Sequence, residues 1–282
     1  MKNRIAIITG ADGGMGREIT RAVARAGYRV VMACYNPQKA EPIKELLKKE
    51  TGNARLEVLP LDLASLDSVV AFARVLLQRG EPVALLMNNA GTMETGLHLT
   101  VDGLERTVSV NYVGPYLLTH KLLPLMSRGT RIVNMVSCTY AVGHLPFPDF
   151  FTRGRSGGFL RIPVYSNTKL ALLLFTLELA ERIRERGITV NAADPGIVST
   201  NMIRMHQWFD PLTDLFFRPF IRKPRQGAST AIGLLLNAGV EGQTGTLHGS
   251  NHPKVLAEKF AHHPQRLQLW EETAKRLAAW LG

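Results

Sequence analysis

The stretch IAIITGADGGMGREI, residues 5–19, decides the fold. Its first five residues are apolar and largely β-branched, as in a strand buried on both faces. Glycines 10, 14 and 16 then interrupt the strand pattern, and the chain resumes with a helical period in GREITRAVARAG. In a strand–turn–helix unit the first backbone N–H groups of the helix converge on one spot. They can hold a pyrophosphate there, and glycines let it approach closely. A glycine turn alone is a weak signal, but this one has the flanking strand and helix that the mechanism requires.

Working outward, the same alternation recurs. Strand-like runs RVVMAC, LEVLPL, VALLMNN, RIVNMVS and ITVNAAD are separated by longer amphipathic segments. Near-continuous apolar strands alternating with helices imply a parallel sheet covered on both sides. The expected architecture is α/β: a single-domain, doubly wound Rossmann fold over residues 1–282, with a parallel sheet of about seven strands. Two segments, 138–164 and 200–226, break the alternation. Both follow strands, so both belong over the carboxyl edge of the sheet, where ligands bind in such folds.

Composition narrows the field. The 282 residues are 45% apolar and 20% charged, ordinary for a globular protein. The net charge of +11 is dispersed among acids rather than gathered into a tail, so nucleic-acid binding is not expected. Cys34 and Cys138 have no metal-like spacing, and the eight histidines form no ligand pattern, so no metal is expected. No 18-residue uncharged stretch exists, and MKNRIAIITG runs from a basic start straight into a strand. The expectation is a cytoplasmic protein without a membrane span.

The stretch YSNTK, residues 165–169, holds the chemistry. Tyr165 and Lys169 are four apart and share a helix face. A free phenol has a pKa near 10; an adjacent ammonium favours the phenolate and would bring proton transfer towards neutral pH.

The Thr9-Gly10-xxx-Gly14-Met15-Gly16 spacing, with Asp12 inside it, resembles the short-chain dehydrogenase/reductase family, and further matches follow in order. Asp62-Leu63 stands where relatives contact adenine, and NNAG supplies Asn88, Asn89, Ala90 and Gly91. Asn111 lies in the next helix, Ser137 ends the fifth strand, and Tyr165-xxx-Lys169 follows. Pro195, Gly196, Ile197 and Thr200 fall where the family lines the nicotinamide. The resemblance implies hydride transfer between substrate carbon and nicotinamide, with Tyr165 as acid or base and Ser137 donating to the alkoxide. It also implies that Lys169 holds the nicotinamide ribose and that Asn111 holds a water linking Lys169 to solvent. A catalytically silent dinucleotide-binding or scaffold protein of the same fold is the alternative.

The cofactor turns on the end of the second strand, VVMACYNPQKA. Cys34 replaces the acid that would bind the 2′-hydroxyl of NAD, and Tyr35 replaces an arginine found in many NADP-using relatives. Arg17 and Lys39 could compensate, while Asp12 opposes. NADP is expected, with NAD as the alternative. The long 138–164 interval resembles the retinol-dehydrogenase-like and WW-domain-oxidoreductase-like branch. That implies a lipophilic alcohol or carbonyl substrate such as a retinoid, steroid or aldehyde. Trp208, Phe209, Phe216, Phe217 and Phe220 read as an apolar lid over the substrate or as a membrane-surface patch. Relatives commonly pair through the helices bearing Asn111 and Tyr165, so the resemblance is compatible with a homodimer or homotetramer. Core packing accounts for the apolar face of LALLLFTLELA equally well.

Overall fold

The computed structural model describes residues 4–196 and 223–282. Ile197, Thr200, the segment from Trp208 to Phe220 and Arg222 lie outside the described residues. Strands β1 (Ile5–Thr9), β2 (Arg29–Cys34), β3 (Leu56–Pro60), β4 (Val83–Asn88), β5 (Met126–Met135), β6 (Thr189–Asp194), β7 (Leu247–Gly249) and β8 (His252–Lys254) form one sheet in the order 3-2-1-4-5-6-7-8. The first seven run parallel, and β8 is antiparallel to β7.

The expected doubly wound sheet is therefore present, with one strand more than the alternation predicts. The addition is a short hairpin. Ser250 and Asn251 both adopt positive φ, 53° and 68°, which is the backbone a tight two-residue turn requires. Three exposed residues, His252–Lys254, carry no apolar alternation that would mark them as a strand.

Helices α1 (Gly14–Arg25), α2 (Pro37–Thr51), α3 (Leu66–Arg79), α4 (Arg106–Val108), α5 (Gly114–Leu122), α6 (Phe150–Arg153) and α7 (Arg161–Arg182) lie between strands. They are followed by α8 (Pro224–Leu236), α9 (Glu258–Ala261), α10 (Arg266–Arg276) and α11 (Ala278–Leu281). Period-2 side-chain alternation divides the core into two layers: Ile5 and Ile7 join one apolar cluster, Ala6 and Ile8 the other. Asn36 and Ser65 cap α2 and α3 by accepting from the amides three residues on, at 3.0 and 3.3 Å.

Helix α7 is buried continuously from Ser166 to Ala180. Apolar residues all round it meet the chain's own core, including Trp270 of α10 stacked on Phe175. The burial of LALLLFTLELA thus needs no second subunit. Among the described residues no helix is long and apolar enough to cross a membrane.

Candidate active site

Strand β1 ends at Thr9, whose hydroxyl accepts from the amides of Asn89 and Ala90, each at 2.9 Å. Asn89 returns its side-chain amide to the Thr9 and Gly10 carbonyls. The glycine turn and the NNAG turn are thereby locked together across the point where strand order reverses, between β1 and β4.

The turn is dense. Gly10 has φ +60°, and a Cβ on Gly16 would stand 2.0 Å from the Gly10 carbonyl oxygen. Gly91 faces the other way: a Cβ there would come within 3.2 Å of Asn111 Oδ1 and 3.6 Å of Lys169 Nζ. Both Gly16 and Gly91 line a groove of about 730 Å³. The groove runs from Tyr35 and Asp12, past Asp62 and Leu63, to Met93 and Arg161. Gly14, Met15, Gly16 and Asn89 line it as well, so most of the expected cofactor contacts share one surface. This shape and its N–H-rich turn fit a dinucleotide.

Lys39 and Arg17 are not on that surface. Lys39 is exposed in the first turn of α2, and Arg17 lies 3.9 Å from Glu50. Asp12 is on it, facing the buried Cys34 thiol, which desolvation and the Asp12 carboxylate push well above its ordinary pKa.

The proton-transfer residues gather at the carboxyl edge of β5 and β6. Ser137 caps the turn Cys138–Val142 by accepting from Thr139 N, and its hydroxyl lies beside the Tyr165 phenol, on which it exerts a pKa-lowering influence. Lys169, buried, donates to the Met135 carbonyl at 2.9 Å, and its Nζ lies 5.4 Å from the Tyr165 ring centre. Asn111 sits in a π-helical segment, Ser109–Val113, between α4 and α5. Such bulges recur at functional sites because they redirect one side chain out of helical register. Its carboxamide accepts from Thr92 N at 2.7 Å and donates to Thr92 O and Thr168 Oγ1, so its protein partners are these threonines rather than Lys169.

One expectation is corrected. Protein groups alone do not acidify the phenol: burial pushes Tyr165 up to about 12, against which the Ser137 hydroxyl is the one opposing influence. Cys138 and Asp194 push further upward. The ammonium gives no relief because it lies over the ring face, and burial lowers Lys169 itself to about 8.

Several participants carry no signal in the sequence pattern. Asp194, which ends the ITVNAAD run, is buried and paired with Lys254 at 2.6 Å, while its other oxygen accepts from Gly196 N at 2.9 Å. That pair fixes the turn through Pro195 and Gly196. Its partner comes from β8, about 60 residues downstream, a distance no local motif reveals.

The model of the short-chain dehydrogenase family matches residues 4–150 and 152–208. Human retinol dehydrogenase 12 is 33% identical over 280 residues, covering 98% of this chain and 87% of that protein. Mouse polyprenol dehydrogenase is 38% identical over 289 residues, covering 99% and 85%. Among solved structures, an uncharacterised protein of Mycobacterium paratuberculosis superposes with a TM-score of 0.77 at 27% identity, covering 98% of this chain and 93% of the other. Actinorhodin polyketide ketoreductase, at 24% identity over 93% of this chain and 98% of its own, shares the fold with a TM-score of 0.69.

Proposed function

The chain belongs to the short-chain dehydrogenase family, and we propose that it transfers a hydride between a nicotinamide dinucleotide and a lipophilic alcohol or carbonyl compound. Retinoids, steroids and medium-chain aldehydes are the candidate substrates. The observation that carries this is the gathering of Ser137, Tyr165 and Lys169 at the carboxyl edge of β5, with Lys169 backing onto Gly91 at the wall of the groove. Retinol and polyprenol dehydrogenases, both named for lipophilic alcohols, are the relatives that support the substrate class.

In this proposal the dinucleotide supplies or accepts the hydride. Tyr165 gives its phenolic proton to the carbonyl oxygen during reduction and takes it back from the alcohol during oxidation. Ser137 donates to the oxygen as negative charge develops on it. Lys169 holds the nicotinamide ribose, and Asn111 orients Thr92 and Thr168.

Preference for NADP rests on Cys34 standing where an acid would select NAD. A cytoplasmic setting accords with two free thiols, one of them exposed. Tyr165→Phe is the test. It should lower turnover of a panel of aldehydes and retinoids at least 10³-fold, while NADPH fluorescence titration shows binding within about threefold of the parent. A parent protein that binds NADPH yet turns over none of the panel in either direction would favour a silent binding protein.

A further inference from the structure

A second cavity of about 470 Å³ opens beside the first turns of α7. It shares no lining residue with the dinucleotide groove. Its walls come from α7 and from the 138–164 segment, and Asn167 ties them together. The Asn167 carboxamide accepts from His144 N at 2.7 Å and donates to the Gly154 carbonyl at 2.7 Å. The loop also packs tightly on the helix, since a Cβ on Gly143 would lie 2.6 Å from the Ser166 carbonyl. The cavity is thus held open by protein contacts.

Its lining has two chemistries. Val142, Pro146, Ile162 and Pro163 are apolar, and Val142 and Ile162 are among the most exposed apolar side chains of the protein. Arg155 is the strong cation, its Nε donating to Ser156 O at 3.1 Å. Among the described residues no carboxylate pairs with Arg155, and no acid lines the cavity.

The Ser166 hydroxyl supplies an independent observation. It is fully buried and has no hydrogen-bond partner, and Ser166 is one of the residues in the cavity wall. Elsewhere on α7, Thr168 and Thr176 return their hydroxyls to carbonyls one turn back, at 2.7 and 2.8 Å. Ser166 does not, although that is the usual way a helical hydroxyl satisfies itself. A buried polar group left without a partner is costly unless something else meets it.

We propose that this cavity is a second small-molecule site, taking a carboxylate with an apolar chain. Arg155 and the Ser166 hydroxyl receive the carboxylate, and Val142, Ile162 and Pro163 receive the chain. Arginine suits this role because its planar fork matches a carboxylate in two parallel hydrogen bonds. The site is adjacent to Tyr165 in sequence but does not include it, so occupancy does not depend on the oxidoreductase reading. A ligand there would brace the α7 turns that carry the phenol.

The experiment uses sodium decanoate as the probe and isothermal titration calorimetry as the readout, on the full chain with and without saturating NADPH. One saturable site is expected, weakened at least tenfold in Arg155→Gln and in Ser166→Ala. Tyr165→Phe should bind like the parent, and methyl decanoate should not occupy the site. Thermal melts of each variant separate lost binding from lost folding. The proposal is overturned if Arg155→Gln binds decanoate as the parent does, or if the parent shows no saturable binding. It is also overturned if Tyr165→Phe alone loses binding, which would place decanoate in the catalytic cleft. None of these outcomes bears on turnover, so the two proposals fail separately.

Discussion

The two ends of the site are built from opposite materials. At the glycine turn the work is done by backbone and by missing side chains: Gly16 closes against Gly10, and Thr9 and Asn89 staple one turn to the other. At the tyrosine end it is done by buried titratable side chains, Tyr165 and Lys169, whose charged forms the surroundings oppose. The first end is a matter of shape, which single atoms can ruin. The second is a matter of electrostatic free energy, which the fold holds at a disadvantage. Steric precision and charge burial are different uses of the same rigid sheet edge.

The sharpest way to break the comparison is at the turn. Gly16→Ala places a methyl group 2.0 Å from a backbone oxygen, and backbone on both sides must shift. We expect a loss of about 3 kcal/mol in stability, typical of overpacking, and at least a hundredfold weaker NADPH binding. Gly13→Ala is the control: nothing lies within 4 Å of its Cβ and its φ is −105°, so stability should change by under about 0.5 kcal/mol. Urea melts and fluorescence titration of both variants check this, and equal effects at the two positions would remove the steric account.

A smaller effect separates the tyrosine end. Lys169 is depressed to about 8 from an unfolded value of 10.5, so its contribution to stability is present above 10.5 and is lost as pH falls through 8. Between pH 7.5 and 9.5 this group alone should raise stability by about 2 kcal/mol. Tyr165, raised to about 12, acts with the opposite sign, but only above its unfolded value of 10, outside that window. Lys169→Met should therefore flatten the pH dependence of urea stability from 7.5 to 9.5. A slope unchanged from the parent would mean that the ammonium is better solvated than its burial implies.

The same contrast explains what could be read from the chain. The sheet was legible because parallel strands buried on both faces are written as apolar runs, and Ile5–Thr9 with Thr189–Asp194 are such runs. The candidate site could be proposed from the chain because Gly16 and the Tyr165–Lys169 spacing act locally, on a turn or a helix face. What escaped depends on distance in sequence or on burial. The Asp194–Lys254 pair joins two strands through a late hairpin, and the π-helical segment at Asn111 is tied by long-range hydrogen bonds, Thr92 N to Asn111 and Ser109 to the Leu63 carbonyl. The direction of the Tyr165 shift also escaped, since a one-turn spacing gives proximity but not whether the ammonium meets the oxygen or the ring.

The smallest effect tests a charge at the border between the two kinds of site. Asp12 belongs to the glycine turn yet acts by charge, lining the groove near Tyr35 and facing Cys34. A 2′-phosphate placed near this strand end would be repelled by it, while a 2′-hydroxyl would donate to it. Asp12→Asn removes the charge at nearly constant volume. If NADP is the preferred cofactor, NADPH binding should tighten about tenfold, or about 1.4 kcal/mol, with NADH changing by under about threefold. Fluorescence titration of both cofactors reads this directly. A variant in which NADH weakens and NADPH is unmoved would make Asp12 the ribose acceptor that β2 lacks, and would turn the preference to NAD.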